Sequence, residues 1–248
     1  MEIFGIDVGG SGVKGAPVNI ETGELLAERV RIETPQPSKP EAVAKAVKTL
    51  LDKFNWKGPV GCGFPMVISN GKARFLSNLD PDWTDVQVDE LFSEATGCPF
   101  RVVNDADAAG LAEMTYGVGK DKAGTVIMIT IGTGLGSGFF RNGELIPNFE
   151  LGRIFGKKGE PIEFYASDAA RKNEDLSYAK WGKRFDFFLN HIDRIFSPDL
   201  IILGGGSSKK YDKFQEYITT KVPIEIAQFQ NNAGIIGAAL AARDLLQK

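Results

Sequence analysis

Residues 7–12, DVGGSG, and residues 130–134, TIGTG, are the two stretches that decide the fold. Each follows a short apolar segment typical of a buried β-strand, and each precedes a segment that continues as a second strand. The two stretches lie about half a chain apart, in equivalent places of two similar successions of strands and helices. A degenerate duplication into two α/β lobes is the simplest interpretation.

The predicted domains are a small α/β lobe over residues 1–104, with the first glycine turn, and a larger α/β lobe over 105–248, with the second. Each lobe is predicted to contain two strands in a hairpin, a further strand, a helix, a strand and a helix. Residues 25–32 are predicted to form one strand. A helix is expected to begin near Asp107, and a terminal helix over 234–246 could pack back on the first lobe.

The first glycine turn formally matches the dinucleotide fingerprint, since Gly10, Gly12 and Gly15 have its spacing. That fingerprint requires a helix to follow, whereas residues 13–20 contain Pro17 and have the pattern of a strand. No GxxxxGK[ST] motif occurs in the chain. What remains is a glycine-rich hairpin turn whose backbone N–H groups can converge on an anion. For either turn alone, a tight hairpin that needs a positive φ is the alternative, and the equivalence of the two turns favours phosphate binding.

Three further polar residues stand at predicted strand ends. Asp7 precedes the first glycine turn, where a carboxylate suits water-mediated Mg²⁺ binding, although surface turn carboxylates are common. Asn104 and Asp105 follow another strand and precede a helix, where capping is the alternative role. Asp107 is the expected cap of that helix, which would leave Asp105 able to take a proton from an attacking alcohol.

The composition excludes several classes of protein. The formal net charge of −3 argues against a general nucleic-acid binder. A single histidine and two cysteines do not suit a zinc site or a disulfide framework. The first ten residues have the pattern of a strand and a turn rather than of a signal peptide, and the apolar runs are too short to span a bilayer. We therefore expect no nucleic acid or membrane partner and a cytoplasmic location.

Together, these motifs resemble the ROK family of sugar kinases, in the sugar kinase–actin superfamily, and within it the polyphosphate glucokinase group. The matching stretches cover nearly the whole chain and are GIDVGGSGVKGAPV, VVNDADAAGLAEM, TIGTGLGSG, LIPNFELG, SPDLIILGGGSSKK and NNAGIIGAAL. The resemblance implies an actin-like, ribonuclease-H-like fold, in which two lobes of mixed sheet and helices close on a sugar held in the cleft. It also implies a homodimer that phosphorylates the 6-hydroxyl of glucose or a similar hexose, with Mg²⁺ and with polyphosphate or ATP as the donor.

The resemblance also assigns roles to residues. Asp105 is the expected catalytic base, and Asp7 the expected outer contact of Mg²⁺ through water. The expected sugar contacts are Asn104, Asp105, Glu150 and Arg153, with Asn78 as a weaker candidate. The expected phosphate or nucleotide contacts are Asp7, Gly9, Gly10, Ser11, Gly12, Lys14, Thr133, Gly134, Gly205 and Gly206.

Two positions depart from the family pattern. Arg153 stands where the family has histidine, and Phe155 stands where a glutamate is expected. Losing two polar partners can change the substrate, weaken sugar binding or abolish catalysis. A non-catalytic, sugar-sensing protein is therefore the alternative hypothesis. An actin-like ATPase is a third, which explains the phosphate turns but not the NDAD and ELG segments.

A polyphosphate donor would need a basic track leading away from the phosphate turns. By composition alone, the candidates are Lys120, Lys122, Lys157, Lys158, Lys209 and Lys210. For each of these lysines, an ordinary solvated surface position is the alternative.

Overall fold

The computed structural model describes residues 1–75, 79–156 and 159–247. The chain divides into two compact units: unit 1 is Met1–Ala112 with Asn232–Lys248, and unit 2 is Glu113–Asn231. This division differs from the predicted domains, 1–104 and 105–248. Its first boundary falls inside a helix that the prediction placed whole in the second domain. The terminal segment belongs to unit 1 because its helix packs on the sheet of that unit.

Unit 1 is built on a mixed sheet with the strand order β3-β2-β1-β5-β8, and β4 also pairs with β2. A small separate hairpin is formed by β6 and β7. Its strands are β1 (Glu2–Gly9), β2 (Gly12–Asn19), β3 (Glu24–Leu25), β4 (Val30–Glu33), β5 (Val60–Phe64), β6 (Val67–Ser69), β7 (Lys72–Arg74) and β8 (Phe100–Asn104). Its helices are α1 (Pro40–Asp52), α2 (Val88–Thr96), the first part of α3 (Asp105–Tyr116), and α7 (Ala233–Ala241), with 3₁₀ turns at Pro81–Trp83 and Arg243–Gln247.

Unit 2 is built on a second mixed sheet with the order β11-β10-β9-β12-β13. Its strands are β9 (Thr125–Ile131), β10 (Leu135–Arg141), β11 (Glu144–Ile146), β12 (Leu200–Gly204) and β13 (Ile224–Ile226). Its helices are α4 (Glu163–Ala166), α5 (Asp168–Asn173) and α6 (Tyr178–Phe196), with 3₁₀ turns at Leu151–Arg153, Ser208–Lys213, Gln215–Tyr217 and Gln230–Asn232.

The two sheets repeat the same topology. In each, the first strand pairs antiparallel with the second through a short glycine turn, and the second pairs with a short third strand. On its other side, the first strand is followed by two parallel strands, β5 and β8 in unit 1 and β12 and β13 in unit 2. The predicted duplication is therefore confirmed at the level of strand order.

The sheet of unit 1 buries both faces, and the two faces differ. Phe4, Ile6 and Val8 alternate along β1 and join the fully apolar cluster under α1 and α2. On the opposite face, α7 lies so close that a Cβ on Gly5 would be 2.0 Å from the carbonyl oxygen of Ile235. Glycine on this face is therefore required by the close approach of the helix backbone.

We expect Gly61→Ala to destabilise unit 1. A Cβ at this position would lie 1.7 Å from the carbonyl oxygen of Ala238 in α7, so the helix must shift away from the sheet. Such overpacking costs about 2 kcal/mol of unfolding free energy, which urea denaturation measures. Gly156→Ala is the control, since its Cβ would meet neighbours only at 3.6 Å or more. Equal stability of the two variants would contradict the close packing of α7 on β5.

Residues 25–32, predicted as one strand, form two. The first, β3, pairs with Val18 and Asn19, and the second, β4, pairs with residues 12–15 of the same strand. Pro17 lies on β2 between the residues that pair with β3 and those that pair with β4. Its carbonyl oxygen accepts a hydrogen bond from the N–H of Leu26 at 2.8 Å, but proline has no N–H that could donate a second hydrogen bond to this neighbour. The missing donor explains why the ladder along β2 is interrupted.

Other predicted elements are confirmed or adjusted. The helix predicted over 234–246 is α up to Ala241 and continues as a 3₁₀ turn. The short elements α4, α5 and β13 were not predicted. Within the described ranges, no helix combines the length and the hydropathy needed to cross a membrane.

Candidate active site

The first glycine turn consists of two residues, Gly10 and Ser11, between the paired ends of β1 and β2. Both residues are exposed. Side-chain donors from β4 and the loop after it hold three carbonyl oxygens of the turn. Thr34 Oγ1 donates to Gly9 (2.6 Å), Gln36 Nε2 to Gly10 (3.1 Å) and Arg31 to Ser11. These bonds fix the turn and occupy its acceptors, which favours an anion at its remaining, N–H side.

Gly10 of the first turn and Gly132 of the second share an unusual property. Neither has a φ in the left-handed region, and a Cβ built on either would meet nothing within 4 Å. The hairpin alternative, which required a positive φ, therefore does not explain these glycines. The space that a side chain would fill is open at equivalent places of the two units. Open space beside backbone N–H groups is what a phosphate group requires.

The second turn, residues 132–134, lies beside the loop that follows β12. Gly205 has a φ of +77°, and a Cβ there would be 2.6 Å from the backbone of Ile131. Glycine at 205 is thus required by both conformation and packing. At Gly206, by contrast, a Cβ would again meet nothing within 4 Å. The structure therefore brings together the predicted phosphate residues of unit 2: Thr133, Gly134, Gly205 and Gly206.

Asp7 lies near the carboxyl end of β1. Its Oδ2 accepts from Lys14 Nζ at 3.3 Å, so two of the predicted residues form an ion pair. The first turn of α7 also approaches the carboxylate, since a Cβ on Gly234 would lie 3.3 Å from Asp7 Cγ. The carboxylate is about one-fifth exposed, at 22%. It is therefore held by neighbours and still accessible to water or to a hydrated ion.

Asn104 is the residue that caps α3, and the prediction that Asp107 is the cap was wrong. The helix begins at Asp105, two residues earlier than predicted. Asn104 Oδ1 accepts from the backbone N–H of Ala106 at 2.8 Å and of Asp107 at 3.1 Å. Its Nδ2 donates to the carbonyl oxygen of Met66 at 3.2 Å. Asp105 Oδ1 also accepts from the N–H of Ala106, at 2.8 Å, so the carboxylate shares one of the two capped donors with Asn104, while only Asn104 bonds the N–H of Asp107.

Asp7 and Asp105 share one edge of the unit 1 sheet. The strands β1, β5 and β8 are parallel, and Asp7, Gly63 and Val103 lie in one row across them. From the spacing of strands, the Cα atoms of Asp7 and Val103 are about 10 Å apart. Asp105 follows Val103 by two residues, and its Cα would lie 3.6 Å from a Cβ on Gly63. The glycine in the central strand therefore leaves space beside the backbone of Asp105.

Glu150 is held against the beginning of β10 by the residues on either side of it. Ser137 Oγ donates to the carbonyl oxygen of Phe149 and accepts from the N–H of Leu151 at 2.9 Å. A Cβ on Gly152 would lie 2.3 Å from the carbonyl oxygen of Leu135, so glycine is required there. Glu150 is thereby placed next to the strand that starts at the second glycine turn.

Arg153 forms an ion pair with Glu150, with Nε 3.4 Å from Oε2. Burial raises the pKa of Glu150 above its ordinary value of 4.5, Arg153 opposes this rise, and the charge of Glu163 adds to it. Arg153, which stands where the family has histidine, therefore places a positive charge beside the half-buried carboxylate of Glu150. Phe155, the second departure, is 71% exposed.

Glu163 was not predicted as a site residue. Its Oε2 accepts from the N–H of Leu135 at 3.3 Å and would be 2.3 Å from a Cβ on Gly134. The charge of Glu163 also raises the pKa of Glu150. No spacing in the sequence indicated this position, because the long loop between the two residues has no regular pattern.

The predicted site residues fall into two groups. Unit 1 contains the first turn with Asp7, Lys14, Asn104 and Asp105, and unit 2 contains the second turn with Glu150, Arg153, Gly205 and Gly206. Asn78, the weaker candidate for a sugar contact, lies outside the described residues, as do Lys157 and Lys158.

Comparison with known proteins identifies the family. The model of the ROK family matches residues 3–149. Polyphosphate glucokinase from Mycobacterium tuberculosis is 42% identical over 240 residues, which cover 96% of this chain and 90% of that protein. The chain also covers 96% of a glucokinase from Thermotoga maritima at 25% identity.

Solved structures of sugar kinases are similar to this chain. Inorganic polyphosphate/ATP-glucomannokinase from Arthrobacter sp. strain KM superposes with a TM-score of 0.93 at 40% identity, covering 100% of this chain and 99% of that one. A ROK family glucokinase from Streptomyces griseus, in complex with glucose and AMPPNP, shares the fold with a TM-score of 0.81 at 23% identity, covering 98% and 100%. The predicted actin-like α/β fold and the resemblance to polyphosphate glucokinases are confirmed. The chain belongs to the ROK family.

Proposed function

We propose that this chain is a hexokinase-type phosphotransferase that moves a phosphoryl group from polyphosphate or ATP to the 6-hydroxyl of glucose or a similar hexose. The observation that supports binding of a phosphate donor is the open space at Gly10 and Gly132, in equivalent turns of the two units. The proposal that the acceptor is a hexose is supported by the similarity to polyphosphate glucokinase and to polyphosphate/ATP-glucomannokinase.

Asp105 acts as the general base. Its carboxylate accepts the proton of the sugar 6-hydroxyl as that oxygen attacks the terminal phosphorus of the donor. The bond between this phosphorus and the bridging oxygen breaks, and the shortened polyphosphate or ADP leaves with the bond electrons. Little covalent chemistry is required of the protein beyond positioning and proton transfer. Capping of α3 by Asn104 supports this assignment, because it holds the backbone around Asp105 in place.

Mg²⁺ is the proposed cofactor, with Asp7 as an outer contact through water. Within the described residues, no group of three or more His, Cys, Asp or Glu side chains is arranged to hold a metal. This fits an ion bound mainly by donor phosphates and water, for which one carboxylate is sufficient. The ion would neutralise charge on the donor phosphates, while Lys14 keeps Asp7 in position.

Glu150 and Asn104 are proposed to bind sugar hydroxyls, with Glu163 as an additional carboxylate near Glu150. Arg153 opposes the rise in the pKa of Glu150 that burial causes, and it thereby favours the charged, hydrogen-bond-accepting form of the carboxylate for binding a sugar hydroxyl. Asn78 is proposed as a further sugar contact on the basis of family likeness alone.

A coupled assay that crosses several hexoses with ATP and polyphosphate tests the function directly. We expect formation of hexose 6-phosphate from glucose with at least one donor. If no combination of sugar and donor gives turnover while glucose still binds, the sensor hypothesis replaces the kinase.

Arg153→Met should make the activity more sensitive to acid. Burial already raises the pKa of Glu150, and removal of the opposing cation raises it further while Glu163 remains. If sugar binding needs the carboxylate, kcat/KM for glucose falls as pH drops through this raised pKa. The acidic limb of the pH profile therefore moves to higher pH.

Arg153→Lys is the matched control, because it retains a cation beside Glu150. Its acidic limb in the pH profile of kcat/KM should lie close to that of the wild type. A profile that is identical in the wild type and the methionine variant would show that Arg153 does not keep Glu150 ionised.

A further inference from the structure

Glu113 is a fully buried carboxylate that joins two segments distant in sequence. It lies in the last turn of α3. Its Oε1 accepts from the backbone N–H of Phe229 at 2.8 Å, and its Oε2 accepts from the N–H of Val118 at 3.4 Å. A carboxylate accepts at both oxygens, whereas an amide side chain has one acceptor oxygen. Glu113 therefore bonds the chain that follows α3 and the chain that precedes α7 at the same time.

The end of α3 makes room for this carboxylate. A Cβ on Gly117 would lie 2.1 Å from Glu113 Oε2, so glycine is required there. Burial of a carboxylate is costly, and the carboxyl end of a helix repels negative charge. The end of α3 by itself therefore disfavours an acid at this position. The hydrogen bonds of the carboxylate compensate for this cost, and the shorter of the two is the bond to Phe229.

Phe229 is separated from α7 by one short 3₁₀ turn, Gln230–Asn232. Gln230 has a φ of +50°, in the left-handed region that is unfavourable for a residue with a side chain. Such a conformation persists where the neighbouring residues are held in place. The hydrogen bond from Phe229 to Glu113 holds the residue just before it. The entry to α7 is therefore restrained by a side chain of α3.

The first turns of α7 contact both α3 and the Asp7 carboxylate. A Cβ on Gly237 would be 1.6 Å from the carbonyl oxygen of Ala108, so the backbones of the two helices touch. Three residues earlier, a Cβ on Gly234 would be 3.3 Å from Asp7 Cγ. The amino end of α7 thus lies beside a carboxylate, an arrangement that the helix dipole favours. The orientation of Asp7 therefore depends on where α7 begins.

We propose that Glu113 is a positioning residue for phosphoryl transfer. By holding Phe229, it fixes the first turn of α7 against Asp7, and so keeps the Asp7 carboxylate oriented towards hydrated Mg²⁺. This inference rests on the proposed function, in which Asp7 is the outer contact of the ion, and adds a residue that acts through Asp7. Groups that orient the ligands of a metal change its affinity although they do not bind it themselves.

The test compares the wild type with Glu113→Gln and Glu113→Met, whose side chains are similar in size. Glutamine retains one acceptor oxygen and methionine retains none. Amide hydrogen exchange is measured without donor or metal. We expect exchange of residues 229–236 to be faster in the methionine variant and intermediate in the glutamine variant, while residues 43–51 of α1 keep their protection.

The second readout is the Mg²⁺ dependence of turnover. The Mg²⁺ concentration that gives half-maximal activity should rise about tenfold in Glu113→Met, as is typical when an outer-shell group of a metal site is removed. The glutamine variant should lie between the methionine variant and the wild type. Because Glu113 acts through Asp7, kcat at saturating Mg²⁺ and KM for glucose should stay close to the wild-type values.

Asp186→Ala is the matched control, because Asp186 Oδ1 likewise accepts from a distant backbone N–H, that of Thr219 at 2.6 Å. It should lower the melting temperature without changing the Mg²⁺ dependence. Unchanged exchange of residues 229–236 in Glu113→Met, an unchanged Mg²⁺ dependence, or an equal shift in Asp186→Ala overturns the proposal. If the methionine variant does not fold, the glutamine variant decides both comparisons. Absence of turnover in the wild type would reject the proposed function, while exchange would still show whether Glu113 holds the entry to α7.

Discussion

Asp105→Asn is expected to lower kcat about a thousandfold, since removal of a general base costs a factor of about 10² to 10⁴. The substitution keeps the size of the side chain but removes the carboxylate that accepts the proton of the sugar hydroxyl. The start of α3 should be unaffected, because Asn104 provides capping hydrogen bonds and the amide side chain retains an oxygen that can accept from the N–H of Ala106, as Asp105 Oδ1 does. The measurement is kcat under saturating sugar and donor, with thermal melting to show that the fold is retained.

Sugar binding separates this role from a structural one. Glucose should still bind the Asp105→Asn variant with a Kd within a few-fold of the wild type, as measured by calorimetry. Asp89→Asn, in α2 of the same unit, serves as a control for the loss of one negative charge and should leave kcat unchanged. A kcat for Asp105→Asn within about tenfold of the wild type would reject Asp105 as the base.

The sequence was sufficient for the repeat and for the two glycine turns, because both are local patterns. A strand, a glycine-rich turn and a second strand occur in each half, and the strand orders of the two sheets agree with that duplication. The split of residues 25–32 was predictable in principle from Pro17. It was missed because the effect acts on the neighbouring strand, through an N–H that proline lacks.

The details of the site depended on contacts between residues distant in sequence. Asn104, rather than Asp107, caps α3, which the pattern NDAD alone could not decide because Asn and Asp both cap helices. Arg153 was predicted as a sugar contact at a position whose departure from the family pattern can change the substrate, weaken sugar binding or abolish catalysis, and its ion pair with Glu150 was not predicted. Glu163 reaches Leu135 across 28 positions of the chain, and only the folded backbone brings them together.

Gly10→Ala and Gly132→Ala are expected to damage phosphate binding without destabilising the protein. In the absence of a donor, the added methyl group meets no atom within 4 Å and neither backbone is left-handed, so folding is unaffected. With a donor present, the methyl group occupies the space proposed for a phosphate oxygen. We expect kcat/KM for the donor to fall about tenfold for each variant and about a hundredfold for the double variant, since independent effects add in free energy.

Gly134→Ala distinguishes this mechanism from general sensitivity of the turns. Its Cβ would lie 2.3 Å from Glu163 Oε2, so this variant should disturb the position of Glu163 and alter KM for glucose as well as for the donor. Gly10→Ala and Gly132→Ala should leave KM for glucose and the melting temperature unchanged. Unchanged donor kinetics in both variants would show that no phosphate group binds in the open spaces at the two turns. Loss of stability would show that other atoms of the protein occupy these spaces.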